Sequence, residues 1–191
     1  TVDRSKLKQC HSKEGEFLNP ERIHHRSFYG SGGIDGCGSA PDGACANYSE
    51  EYWEKLRAFY FANVKLIDDA IGRVLHEMEN RYGNDSLIIF TADHGEMLGN
   101  HGLWGKNNCF YEEVWNIPLF VRFPGQIKGE RRQDMVNTTD ILPTCLEAAG
   151  RKKVDTEGQS LYRRGNRKVT FAEGEGYVAV TDGRYKYVQV Q

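Results

Sequence analysis

The chain has 191 residues, with 25 Lys plus Arg against 27 Asp plus Glu, a net charge of −2 and a mean hydropathy of −0.65. That length carries one domain with a sizeable core, and the near-neutral balance argues against a general nucleic-acid binder. No apolar run approaches the roughly 18 residues that cross a bilayer, and 27% charged with 12% aromatic residues is a globular rather than a disordered composition.

Residues 1–48 show no hydrophobic period and are punctuated by Gly30-Ser31-Gly32-Gly33, Gly36-Cys37-Gly38 and Pro41-Asp42-Gly43. They read as a long Gly-rich irregular segment, with residues 30–46 expected to be the most mobile. Five scattered cysteines (Cys10, Cys37, Cys45, Cys109 and Cys145) suit a reduced compartment better than a disulfide framework. The spacing of Cys37 and Cys45 is poor for a zinc knuckle. The chain opens on charge, without an apolar signal segment and without Met. The expectation is a cytoplasmic protein, and a chain that is a piece of something longer.

Ser49 is a candidate N-cap, with Glu50 and Glu51 facing the positive end of a helix. Trp53, Leu56, Tyr60, Val64, Ile67, Ile71, Val74 and Met78 then recur at spacings of three or four, and Gly83 is the stop. Ser86 to Thr91 is an unbroken apolar run, which predicts a strand buried on both faces, as in a parallel sheet. Phe110 to Trp115 reads as a short helix, and Ile117 to Arg122 as a second strand stopped by Pro124-Gly125. Asp140 is expected to cap a helix that carries Pro143 and ends at Gly150. Val169–Ala172, Tyr177–Thr181 and Arg184–Val190 are strand candidates, the last two joined by Asp182-Gly183.

Chemistry concentrates in residues 91–106. Asp93 and His94 follow directly on the first strand, where ligands bind in open α/β sheets. A turn at Gly95 would let the carboxylate and the imidazole converge on one divalent ion, although the residue types alone favour a solvated loop with a hydrogen-bonded Asp–His pair. Lys106, downstream of His101 in the same Gly-rich loop, could meet an anionic substrate oxygen. Glu96 and Glu112 read as solvated, and Trp104 as a packing residue. Residues 126–168 hold ten basic and six acidic side chains, an excess that reads first as surface solvation and second as a contact for an anionic substrate.

The run LIIFTADHGEMLGNHGLWGKNNCFYEEVWNIPLFVRFPG resembles the C-terminal signature of the sulfatase family, within the alkaline phosphatase superfamily. The preceding FYFANVKLIDDAIGRVL, the later TTDILPTCLEAAG and the closing YVAVTDGRYKYV extend the resemblance from about Ser49 to Val188. It implies an α/β fold: part of an alkaline-phosphatase-like doubly wound sheet, ending in a small C-terminal antiparallel sheet. The implied organisation is the irregular segment 1–48, the C-terminal half of the α/β domain over 49–150, and a small subdomain over 151–191. Asp93 and His94 would be two of four metal ligands. The family's usual ion is Ca²⁺, with Mn²⁺ or Zn²⁺ as alternatives because nitrogen suits calcium poorly. Lys106 would contact the sulfate and stabilise the leaving alkoxide, with His101 beside it in a less defined role.

One departure is decisive. No cysteine of the chain heads a C-x-P-x-R motif, and Ser39-Ala40-Pro41-Asp42-Gly43 lacks the arginine. The formylglycine nucleophile that the resemblance implies is therefore expected in an N-terminal half outside these residues, and the 191 residues alone are expected to be inactive. The implied substrate is a sulfated small molecule or glycan, with no nucleic-acid or membrane partner. A phosphonate or phosphodiester hydrolase of the same superfamily, or a non-catalytic binding module, are the alternatives. An open strand edge and bare helix surface further predict self-association, or pairing with the chain's own N-terminal half.

Overall fold

A computed structural model describes residues 49–100, 105–106, 110–151, 155–163, 165–174 and 177–190. The expectations for residues 1–48, including the Cys37–Cys45 pair and the mobility of residues 30–46, lie outside the described residues, as do those for His101 and Trp104.

Helix α1 spans Glu50–Tyr82. Ser49 begins it as expected: its Oγ accepts the Tyr52 N–H at 3.3 Å, and its carbonyl accepts the N–H groups of Tyr52 and Trp53. Ion pairs Lys55–Glu51 and Lys65–Asp69 lie one turn apart on its surface. Gly83, at φ +56°, ends the helix by donating its N–H to the Glu79 carbonyl. The apolar stripe is there, but little of it is covered. Trp53 is buried, whereas Val64, Ile67 and Val74 are exposed. At about 50 Å, a 33-residue helix outruns its packing partners among the described residues. No described helix is long and apolar enough to cross a membrane.

Strand β1 (Ile88–Thr91) pairs with β2 (Leu119–Arg122), with Ile88 opposite Arg122 and Thr91 opposite Leu119. The pairing is antiparallel, which corrects the expectation of a parallel neighbour. An unbroken apolar run records burial, not the direction of the partner strand. Nor are both faces covered: Phe90 and Phe120 touch across the ladder, with ring centroids 6.0 Å apart, and both are exposed. Gly125 donates to the Asn84 carbonyl, and Arg122 pairs with Glu79 at 3.1 Å, tying the ladder to the end of α1.

A short helix α2 (Glu112–Trp115) lies between the two strands in sequence. Beyond β2, a 3-10 turn at Thr138–Asp140 leads into α3 (Ile141–Ala148). Asp140 stands at the N-cap position of α3 as expected, but its side chain makes no capping bond to that helix. Asn137 caps the turn: its Oδ1 accepts the Thr139 N–H, and the Asp140 carboxylate reciprocates to the Asn137 N–H in a capping box. The rest of that carboxylate takes both ends of the Arg167 guanidinium, at 2.6 and 2.7 Å, and the Gln159 N–H at 2.7 Å. Thr144 Oγ1 donates to the Asp140 carbonyl and accepts the Leu161 N–H. Gly150 stops α3 at φ +63°.

Strands β3 (Thr170–Gly174), β4 (Tyr177–Thr181) and β5 (Lys186–Val190) form the expected antiparallel sheet in that order. The hairpin between β4 and β5 turns on Gly183 (φ +86°), with Asp182 Oδ1 accepting the N–H groups of Arg184 and Tyr185. These elements are mixed α/β, as expected. They fall into two compact units: the described residues up to Met78 with Asp93–Ile117, and Glu79–Ala92 with Pro118 onward.

Candidate metal and anion site

The segment after β1 is pinned to α2 by its backbone. Gly95 donates its N–H to the Val114 carbonyl at 2.9 Å, and Glu96 to the Glu113 carbonyl at 3.0 Å. Only glycine fits at position 95, because a Cβ there would sit 1.9 Å from the Glu113 oxygen. Met97 is fully buried and anchors the segment. The chain then reverses at Leu98 and Gly99, with φ of +51° and +92°, beneath the Trp53 ring of α1. Asn100 closes this turn by donating its N–H to the Met97 carbonyl and its side-chain amide to Glu113 Oε1.

Asp93 and His94 project from the start of this segment, and the structure brings them together as the sequence suggested. Asp93 Oδ1 accepts the His94 N–H at 3.0 Å, yet 84% of the Asp93 side chain is exposed. That N–H bond, aided by the nearby His94 and Lys106, holds the carboxyl below its usual range. His94 Nδ1 lies 2.8 Å from the Gly95 carbonyl oxygen. A carbonyl only accepts, so Nδ1 carries a proton and donates it. In the neutral ring, Nε2 is then a lone-pair atom, 3.3 Å from Asp93 Oδ2. Two acceptors at that distance are reconciled by a proton on Nε2 or by a cation that both can ligate.

The donor set fits half of a divalent-metal site. One carboxylate oxygen and one imidazole nitrogen suit a borderline ion such as Zn²⁺ or Mn²⁺, and the oxygen suits Ca²⁺. The Nδ1–H bond to Gly95 is the kind of support that orients a ligating histidine. Among the described residues, no group of three or more His, Cys, Asp or Glu side chains comes close enough to hold an ion. Asp93 and His94 would therefore need donors from elsewhere.

Lys106 is exposed and follows Gly105, which stands at φ +88°. Glu96 departs from the reading as a solvated residue. It is half-buried, and its Oε1 accepts the Gly105 N–H at 2.5 Å. Burial pushes the Tyr60 hydroxyl pKa up, and the Glu96 carboxylate pushes it further. The sequence gives no sign of Glu113, or of the packing of Trp53 over Gly99, because both depend on partners far along the chain. The only signal for Glu96 was its place in a glycine-rich loop, where backbone N–H groups lack ladder partners. The basic excess of residues 126–168 is partly internal: Arg167 holds Asp140, and Arg132 donates to Asp134 and to the carbonyls of Leu161 and Arg163.

Residues 9–151 match the family model described as Sulfatase. A choline-sulfatase of Rhizobium meliloti (strain 1021) is 33% identical over 155 residues, covering 73% of this chain and 30% of that protein. A solved phosphonate monoester hydrolase from Silicibacter pomeroyi superposes with a TM-score of 0.79 at 24% identity, over 98% of this chain and 43% of that one, a likeness of fold. A structure solved in complex with its substrate D-glucosamine-2-N,6-O-disulfate superposes with a TM-score of 0.61 at 25% identity, over 74% of this chain and 33% of that one. The chain thus spans under half the length of each of these proteins.

Proposed function

Because the chain belongs to the sulfatase family, we propose that it is the portion of a sulfuric ester hydrolase that holds part of a divalent-metal site on Asp93 and His94 and offers Lys106 to the sulfate. The observation that carries this reading is the 3.3 Å approach of exposed Asp93 Oδ2 to half-buried His94 Nε2, on the segment through which the family resemblance runs. A divalent ion bound there would supply Lewis-acid stabilisation of charge on the sulfate oxygens.

The remaining roles belong to this chain's own groups. Asp93, held below the usual carboxylate range, stays ionised at neutral pH and can serve as a ligand. His94 keeps its Nδ1 proton on the Gly95 carbonyl, so that Nε2 remains the coordinating atom. Lys106 presents a compact positive charge to a sulfate oxygen or to the departing alkoxide. No C-x-P-x-R motif occurs in the 191 residues, so the nucleophile belongs to residues outside them. The substrate class this suggests is a sulfated small molecule or glycan, in line with the compounds named for the choline-sulfatase and for the disulfated glucosamine complex.

The test is made in the complete enzyme that carries this chain, with an aryl sulfate and an aryl phosphonate compared side by side. Asp93→Ala should remove divalent-ion binding together with turnover. Lys106→Ala should retain the ion and lower turnover by roughly 10²–10³-fold, the scale of one lost transition-state charge partner. Ion binding lost in the Lys106 variant and kept in the Asp93 variant would reverse the assignments. Preference for the phosphonate would replace the sulfatase reading with that of its superfamily neighbour.

A further inference from the structure

We propose that Glu96 is a positioning residue for Lys106, an inference that rests on Lys106 being the sulfate-contacting group. A lysine ammonium rides on a flexible four-carbon stem, so the backbone that bears it decides where the charge can reach. Here that backbone is held through both the N–H and the carbonyl of the preceding residue, Gly105. The Gly105 N–H donates to Glu96 Oε1 at 2.5 Å, and the Gly105 carbonyl accepts the Met97 N–H at 3.2 Å. Gly105 is at φ +88°, a conformation that an L side chain rarely adopts and that the two bonds hold in place.

Glu96 is itself fixed. Its N–H is bonded to the Glu113 carbonyl of α2, the Met97 side chain after it is buried, and the Leu98–Gly99 reversal beyond is closed by Asn100 on Glu113. A connected path therefore runs from α2 through Glu96 to Gly105 and Lys106. A carboxylate makes a stronger clamp on a backbone N–H than a neutral acceptor does. It is a clamp of side chain on backbone, so the part of Glu96 that matters is an acceptor at Oε1. A glutamine of the same length keeps that acceptor, and an alanine does not.

The complete enzyme that carries this chain is compared with its Glu96→Gln, Glu96→Met and Glu96→Ala variants by amide hydrogen exchange and by the Lys106 ε-CH₂ signal during titration with inorganic sulfate. Glu96→Ala should speed exchange at Gly105 by roughly 10–100-fold, the scale of losing a hydrogen bond to a charged group, and should lose the sulfate-dependent shift at Lys106. Protection of the Gly95 N–H, which is bonded to Val114, should be unchanged and reports that the segment is still folded. Glu96→Gln should largely restore both signals, whereas Glu96→Met, which fills the same space without a strong acceptor, should not. Gly105 still protected in the alanine variant, or a glutamine variant indistinguishable from alanine, overturns the clamp. Normal clamp behaviour with a wild-type Lys106 ε-CH₂ signal that sulfate does not move overturns the assignment of Lys106, and with it any role for Glu96 in placing it.

Discussion

Asp140 and Asp93 are both carboxylates held below their ordinary range, and they reach that state in opposite ways. Asp140 is 1% exposed. Burial alone would push its carboxyl up, but the Arg167 guanidinium and the N–H groups of Gln159 and Asn137 outweigh it. Its two oxygens take four hydrogen bonds from its own unit, and nothing is left for a ligand. Asp93 stands in solvent with one backbone N–H on Oδ1, and its Oδ2 faces an imidazole nitrogen that does not donate in the neutral ring. A carboxylate saturated by its own chain holds the fold together. One left unsaturated beside a lone pair is open to something from outside.

The largest expected effect breaks the saturated member of the pair. Asp140→Ala leaves the Arg167 guanidinium buried without its partner and strips the acceptor from two backbone N–H groups. Loss of one partner of a buried pair costs about 3–5 kcal/mol. Urea unfolding followed at the amides of Thr144 and Leu161 should show a loss of that size. A double variant, Asp140→Leu with Arg167→Met, removes both charges and should recover part of it. A single variant as stable as the wild type would mean that Asp140 is not what joins the turn at 137–140 to residues 159 and 167.

The acid limb of stability gives a smaller effect with a definite sign. The folded-state pKa of Asp140 is depressed, so its contribution is complete above the unfolded value of 3.8 and is lost as pH falls through the folded value. The melting temperature of the chain should therefore fall more steeply below about pH 4. Asp140→Asn should begin from lower stability at neutral pH and show a shallower acid limb. An unchanged acid limb in that variant would assign the acid sensitivity to other carboxylates.

Much of this was legible in the sequence, and the limits of that reading have physical causes. The ends of α1 are written locally, in Ser49 with two glutamates and in Gly83, and so is the β4–β5 hairpin in Asp182-Gly183. The pair Asp93–His94 was visible because adjacent residues leaving a strand need only one turn to converge. What escaped depends on partners distant in sequence. The direction of the β1–β2 ladder, the engagement of Asp140 by Arg167 and of Glu96 by Gly105, and the contact of Trp53 with Gly99 leave no periodic trace. The α1 stripe is the reverse case. Its spacing predicts the helix, but Ile67 and Val74 of the stripe, at 57% and 59% exposed, are not covered by anything among the described residues.

The smallest expected effect is on stability at Asp93, and it sharpens the contrast most. Asp93→Asn keeps an oxygen that can accept the His94 N–H and removes only the charge. A surface change of that kind shifts stability by no more than about 0.5 kcal/mol, well under the cost expected at Asp140. The same substitution should nonetheless abolish the local response to a divalent probe. In the wild-type chain, Mn²⁺ should broaden the His94 ring signals and the Gly95 amide selectively, with weak affinity, because two donors replace little of the ion's hydration. In the asparagine variant that broadening should vanish while the urea midpoint stays in place. Broadening that survives the substitution would mean that His94 holds the ion without Asp93. A large loss of stability would mean that Asp93, like Asp140, is spent on the fold, and the distinction between the two carboxylates would fall.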